Sequence, residues 1–221
     1  MMHPPKEVAS VSPWLYWSLF PIHRVFLNLY FGQIVIEGQE NLPDTGPVVL
    51  APKHFSRWDP VVLVSLSKEP LRFLTNANQF EGFQGWLIKR LGAFPVDLSH
   101  PKVSSLRGAI ELLQAGKKLV LFPEGGIVRD QPLRPLKTGL ARLVLQAESL
   151  AQEPLQIPIV PVVMRYEPGP YAGATVFITI GSPLYTEEYR QKNDKDTAQA
   201  LTQALQGAIL KGLQPFNIKK H

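Results

Sequence analysis

The sequence predicts an α/β fold, a mostly parallel mixed sheet flanked by helices, led by an N-terminal helical segment suited to a membrane interface. Two observations carry the sheet. Short apolar runs of strand length recur along the chain, and segments with helical spacing fall between most of them. That alternation builds parallel strands with helices on the faces of the sheet. A third observation sets the head of the chain apart: residues 13–31 are its most apolar and aromatic stretch.

Residues 13–31, P-W-L-Y-W-S-L-F-P-I-H-R-V-F-L-N-L-Y-F, do not read as a membrane span. A crossing helix needs about 20 largely uninterrupted apolar residues, whereas Pro21 kinks this one and His23-Arg24 would sit near the hydrocarbon centre. A secretory leader is not indicated either, because a basic start and a small-residue cleavage site are missing. Trp14, Tyr16, Trp17, Phe20 and Tyr30 suit a helix lying in the headgroup layer, with Arg24 reaching anionic lipid. A core-packing helix with aromatic anchors is the competing reading.

Strands are expected at 33–36, 48–51, 71–74, 118–122, 159–164 and 175–180. Asp59-Pro60 reads as an N-cap followed by proline at the first helical position, opening the apolar run 61–66. Residues 80–91 place Phe80, Phe83, Trp86, Leu87 and Arg90 at helical spacing, facing either the core or a second patch of membrane. Residues 103–115 repeat Val103, Leu106, Ile110 and Leu113, and stop before Gly116-Lys117. Residues 136–150 and 196–213 are likewise helical, and the Pro/Gly-rich 168–173 marks a long turn. No repeat or linker divides the chain, which reads as one domain, 1–221. Within it 1–32 form the N-terminal aromatic segment, 33–185 the α/β core and 186–221 a C-terminal helical segment.

Composition narrows the function classes. With 221 residues, 45% of them hydrophobic, the chain can bury a substantial core and is not a disordered protein. The absence of cysteine excludes disulfides, a thiol nucleophile and thiolate metal sites. A net charge of +5 suits an anionic partner. The basic residues are scattered and no nucleic-acid recognition module is present, so lipid headgroups fit better than nucleic acid. There is no G-x-S-x-G elbow, Walker A loop, G-x-G-x-x-G or H-E-x-x-H. His3, His23, His100 and His221 are isolated and read as surface or packing residues. A metal on His54 and Asp59 would lack a further nearby histidine, and none is expected.

The chemistry concentrates in residues 51–60, A-P-K-H-F-S-R-W-D-P. A neutral imidazole can take a proton from an alcohol while a carboxylate on its other nitrogen fixes the tautomer. On a regular helix the five steps from His54 to Asp59 put them roughly 140° apart. They can meet only if His54 lies in a loop before the helix. On these residues alone two readings stand: a base with its orienting acid, or a helix cap beside an ordinary loop histidine. Residues 119–130, L-V-L-F-P-E-G-G-I-V-R-D, form a strand breaking into a turn, a shape that presents backbone N–H groups to an anion or hydroxyl. Both segments fall at strand ends, where ligands bind in such sheets.

Together these segments resemble the glycerolipid acyltransferase family, which includes the lysophosphatidic acid acyltransferases. Its H-x-S-x-x-D motif is matched by His54, Ser56 and Asp59, and its F-P-E-G motif by Phe122, Pro123, Glu124 and Gly125. Residues 157–163, I-P-I-V-P-V-V, resemble the late V-P-V motif. Residues 133–139, L-R-P-L-K-T-G, resemble the lysine-bearing segment after F-P-E-G. The resemblance covers about residues 38–183, and the combination is specific although each piece is not.

The resemblance implies that His54, through Nε2 or Nδ1, removes the proton of a lysolipid hydroxyl while Asp59 orients the ring. Ser56 would order the loop next to the substrate. Phe122, Pro123, Glu124, Gly125 and Gly126 would form the acceptor side, Glu124 accepting from an acceptor hydroxyl or holding a nearby cation. Lys137 is implied for phosphate by the family pattern, and Arg129 is chosen by proximity. The acyl group would come from acyl-CoA or acyl carrier protein, with no further cofactor. The acceptor would be a lysophospholipid, foremost 1-acylglycerol-3-phosphate, at the cytoplasmic face of a membrane to which the protein is peripheral or monotopic. Transfer to another lyso lipid, transfer between phospholipids, and a non-catalytic lipid-binding protein are the alternatives. Two departures bear on the acceptor. F-P-E-G is followed by Gly126-Ile127 where the family often has Thr-Arg, and Leu98 stands where an arginine often ends the second motif. Arg129, Arg134, Lys137 or Arg107 would have to supply that charge.

Overall fold

The computed structural model describes residues 11–96 and 103–214. Leu98, His3, His100 and His221 lie outside the described residues. Seven strands form one sheet: β1 (Gln33–Glu37), β2 (Val48–Pro52), β3 (Arg72–Asn76), β4 (Ala93–Val96), β5 (Lys118–Val120), β6 (Ile159–Glu167) and β7 (Thr175–Ile180), in the order β1-β7-β6-β2-β5-β3-β4. Every neighbouring pair is parallel except β6 with β7, which makes the sheet mixed but mostly parallel, as expected.

Helices cover both faces: α1 (Pro13–Tyr30), α2 (Asp59–Leu63), α3 (Gly82–Arg90), α4 (Val103–Gln114), α5 (Gly139–Ser149) and α6 (Asp194–Gly212). Alternation along β2 shows how the layers form. Val48 and Leu50 pack into one core with Leu27 of α1 and Val62 of α2. Val49 and Ala51 pack into the other with residues of α4, α5 and α6. Such two-sided burial explains why this strand reads as a continuous apolar run.

Several expectations are corrected. β4 was not foreseen, because Pro95 interrupts its apolar run; β4 is an edge strand, where proline is tolerated. β5 stops at Val120, two residues short of the expected end. α6 starts two residues earlier than expected, capped by Asn193, whose side chain accepts from Asp196 N at 2.9 Å. α2 begins at Asp59 itself, with Trp58 in the cap position. The Asp59 carboxylate turns back to the preceding loop and does not cap its own helix.

α1 is one helix across Pro21, with Tyr16 and Leu27 buried against the domain. Its opposite side presents Trp14, Trp17, Ile22, Val25 and Leu29 to solvent, Leu29 at 82% exposure. The core-packing reading holds for one side, Tyr16 included, while the exposed side presents the apolar and aromatic residues that a lipid-facing reading requires. On α3, Ile88 packs into the core under α1 and α2, whereas Phe83 and Trp86 are exposed and stacked on each other. Arg90 lies over the Trp86 ring at 4.2 Å. Among the described residues no helix is long and apolar enough to cross a membrane.

His23 fastens α1 to α2 through Nε2, 2.8 Å from Val61 O. Burial lowers its pKa below the usual 6.5, the bond to Val61 acting the other way, and its Nδ1 is buried with no partner. Protonation is therefore disfavoured in the folded state. The unfolded chain binds this proton more readily, so stability is full above pH 6.5 and falls as pH drops from there toward the lower folded-state value. Thermal midpoints measured across this window should fall less steeply in His23→Gln than in the parent. Equal slopes would remove His23 from the account.

Candidate active site

β2 and β5 are neighbours in the sheet although far apart in sequence, so the loops leaving their carboxyl ends meet. His54 lies in the loop between β2 and α2, as the geometric argument required. Its Nδ1 is 2.9 Å from Asp59 Oδ2. An ionised carboxylate only accepts, so the neutral ring carries its proton on Nδ1 and keeps the Nε2 lone pair free. The His54 side chain is 16% exposed, and that of Asp59 is fully buried.

The carboxylate is held from several sides. Oδ2 also accepts from the backbone N–H groups of Phe55 at 2.7 Å and Ser56 at 2.8 Å. Oδ1 accepts from the hydroxyl of Tyr166 at 2.7 Å. Burial, with the Asp59 charge beside it, pushes the Tyr166 phenol far above its ordinary range and keeps it a donor. The His54 ring stacks on Phe122 with centroids 3.9 Å apart. Rotation of the imidazole is thus limited by a ring on one side and a carboxylate at one edge.

The F-P-E-G turn clasps this loop. Glu124 is buried, and its Oε2 accepts from His54 N at 3.0 Å while Oε1 accepts from Arg134 N at 3.0 Å. Lys53, also buried, sits 3.5 Å from Glu124 Oε2 and donates to Val128 O at 3.1 Å. Val128 N donates to His54 O at 2.9 Å, and Arg129 Nε donates to Phe55 O at 3.0 Å. Glu124 therefore holds a cation, one of its two expected roles. Both its oxygens are engaged by the protein itself.

The other candidates are placed as follows. Ser56 is buried, and its hydroxyl accepts from Trp58 N at 3.2 Å, which orders the turn. Pro123 is buried beneath the turn. Gly125 has φ +74°, a left-handed conformation that disfavours any side chain, and its N–H is spent on Phe122 O. Around Gly126 nothing lies within 4 Å of where a Cβ would be. Arg129 is exposed and tethered to the loop carrying His54, whereas Lys137 is exposed further along the chain. Arg134 contributes its backbone. Arg107 pairs with Glu111 on its own helix at 3.2 Å.

Sequence reasoning missed Lys53, Tyr166 and Trp58. Trp58 packs its ring 4.4 Å from that of Tyr30 and 5.7 Å from that of Phe31, joining the end of α1 to the turn between His54 and Asp59. A lone lysine beside a histidine at a strand end was the available signal for Lys53.

The model of the acyltransferase family matches residues 33–165. A 1-acyl-sn-glycerol-3-phosphate acyltransferase from Bacillus subtilis (strain 168) is 28% identical over 195 residues, covering 84% of this chain and 90% of the relative. A chloroplastic 1-acyl-sn-glycerol-3-phosphate acyltransferase from Arabidopsis thaliana is 32% identical over 130 residues, 57% of this chain and 34% of the relative. The crystal structure of the 1-acyl-sn-glycerophosphate acyltransferase from Thermotoga maritima shares the fold, with a TM-score of 0.65 at 20% identity over 91% of this chain and 82% of that one.

Proposed function

The chain belongs to the acyltransferase family, and from that premise we propose that this O-acyltransferase moves a fatty acyl group from acyl-CoA or acyl carrier protein to the free hydroxyl of 1-acylglycerol-3-phosphate, giving phosphatidic acid. The observation that carries the reading is the 2.9 Å bond from His54 Nδ1 to Asp59 Oδ2, which leaves Nε2 as a base at a strand end. The names of the relatives support the acceptor.

His54 Nε2 takes the hydroxyl proton as the acceptor oxygen attacks the thioester carbonyl carbon. A C–O bond forms, the tetrahedral intermediate collapses with cleavage of the C–S bond, and the imidazolium returns its proton to the departing thiolate. Asp59 stays ionised and stabilises the imidazolium in between. The N–H groups of His54, Phe55 and Ser56 are taken by carboxylates and that of Gly125 by Phe122 O, so none of these four meets the oxyanion. The turn at Gly126, open on the side where a Cβ would stand, is our choice for that donor.

For the phosphate, Arg129 is favoured over Lys137. Its Nε is fixed to Phe55 O, which leaves the terminal nitrogens for an anion beside the base. Residues 33–185 act as the catalytic core, and the exposed side of α1 lies in the headgroup layer of the cytoplasmic face, with α3 and its Phe83–Trp86 stack as a second contact.

The direct test supplies purified protein with 1-acylglycerol-3-phosphate and each thioester donor, and reads phosphatidic acid by mass spectrometry. Product from at least one donor is expected; no product from either overturns the reading. Membrane docking has its own test. Replacing Trp14 and Leu29 together with glutamate should weaken partition onto anionic vesicles about tenfold or more, by loss of buried apolar area and added like charge. Undiminished vesicle binding by the folded double variant would locate the docking surface elsewhere.

A further inference from the structure

We propose that Tyr166 is a positioning residue for the catalytic pair: its hydroxyl, 2.7 Å from Asp59 Oδ1, fixes the rotation of the carboxylate and so decides where His54 points its reactive nitrogen. The inference rests on the base role given to His54 above.

The fold explains how a residue so distant reaches the site. β6 pairs with β2 only as far as Pro52 opposite Val162, so residues 163–167 extend past the end of β2 and over the loop that carries His54. Alternation then puts Tyr166 on the same face as Val162 and Met164, the face packed by α2. The phenol ring packs against those of Phe31 and Phe55, whose centroids lie 5.9 Å and 6.3 Å away, and Tyr166 is buried, which limits its freedom to leave.

The bonding on Asp59 is divided in a way that makes this contact decisive. Oδ2 receives His54 Nδ1 and the N–H groups of Phe55 and Ser56, whereas Oδ1 receives the Tyr166 hydroxyl. Without the phenol, Oδ1 would be a buried carboxylate oxygen with no donor, and the group would gain a reason to turn. It would also carry more of its charge toward the imidazole.

Charged and titratable groups on the neighbouring elements make the following contacts. Glu124 accepts from His54 N and pairs with Lys53, Arg129 donates to Phe55 O, and His23 of α1 meets Val61 O. Arg57 is exposed in the loop, and Arg165 lies over Phe177, 5.5 Å from the ring centroid. None of the contacts just named involves the Asp59 carboxylate or a ring nitrogen of His54.

Tyr166→Phe keeps the ring and removes the donor. We expect kcat/KM to fall about ten- to a hundredfold, the range for losing a hydrogen bond to a charged group, mostly through kcat. The titration midpoint of the His54 ring, followed by NMR, should rise, since the imidazolium then faces a carboxylate not shared with the phenol. The acid limb of the pH–rate profile should move up with it. A midpoint that is unmoved or lowered in a folded protein would overturn the proposal, because loss of packing alone would not raise it.

Should Tyr166→Phe fail to fold, fluorinated tyrosine at position 166 serves instead. As a stronger donor of nearly the same shape it should move the midpoint down, and an unmoved or raised midpoint would again overturn the proposal. The ring titration needs no turnover. An inactive parent protein would therefore sink the acyl-transfer reading while leaving the Tyr166 contact tested by NMR.

Discussion

His54→Ala is expected to lower kcat/KM for acyl transfer by about 10³-fold or more, within the range a positioned base contributes. Asp59→Asn should cost a comparable factor by a different route. An amide in place of the carboxylate can present its NH₂ to Nδ1, which favours the opposite tautomer and turns the Nε2 lone pair into an N–H. The same amide faces the N–H groups of Phe55 and Ser56 and the hydroxyl of Tyr166, and cannot accept from all of them. Circular dichroism must show both variants folded, and phosphatidic acid formation is the readout. Turnover within twofold of the parent in either folded variant would remove the pair from the mechanism. In the parent, activity should also fall on the acid side as the imidazole takes up a proton, because the base is then consumed.

Glu124→Ala is the second large effect, and it should appear in stability as well as in rate. The substitution strands the buried Lys53 ammonium with Val128 O and removes the acceptors for His54 N and Arg134 N. Breaking a buried pair by removing one partner costs about 3–5 kcal/mol. A loss of stability of that size, read as the downward shift of the urea midpoint multiplied by the m-value, is expected, together with a fall in kcat as the loop carrying His54 loosens. Glu124→Gln, which keeps an acceptor and loses the charge, should fall between the two. If Glu124 instead served only to bind an acceptor hydroxyl, Glu124→Ala would raise KM and leave the urea midpoint where it was. That outcome would refute the clasp.

Which parts of this site were legible in the sequence follows from how local each interaction is. His54 and Asp59 are five residues apart, and the proline after Asp59 announces the helix that fixes their geometry. The strand ends that carry both motifs were readable from apolar runs, β2 especially, because burial on both faces leaves an unbroken run. β4 was hidden because Pro95 looks like a strand breaker unless one knows that the strand lies at the edge. Tyr166 was hidden for a different reason. A strand expected over 159–164 stops two residues short of Tyr166, and only the β2–β6 register of the longer β6 places it above Asp59. Glu124 is legible through its motif but its work is not, since the cation it holds lies 71 positions earlier, next to the histidine itself. Its likeness to a substrate ligand came from the motif, whereas its role as a clasp came from burial.

The bonds that hold the loop carrying His54 and Asp59 join residues 70, 74, 75 and 107 positions apart. A chain emerging from the ribosome therefore has His54 and Asp59 long before it has the parts that aim them. The clasp can close only after residue 129 has appeared, and the Asp59 carboxylate finds its last donor only with residue 166. Nascent chains shorter than this should carry the aromatic leading helix without an assembled base. On the proposed docking role of α1, a nascent chain would carry its lipid-contacting surface before it carries an assembled base.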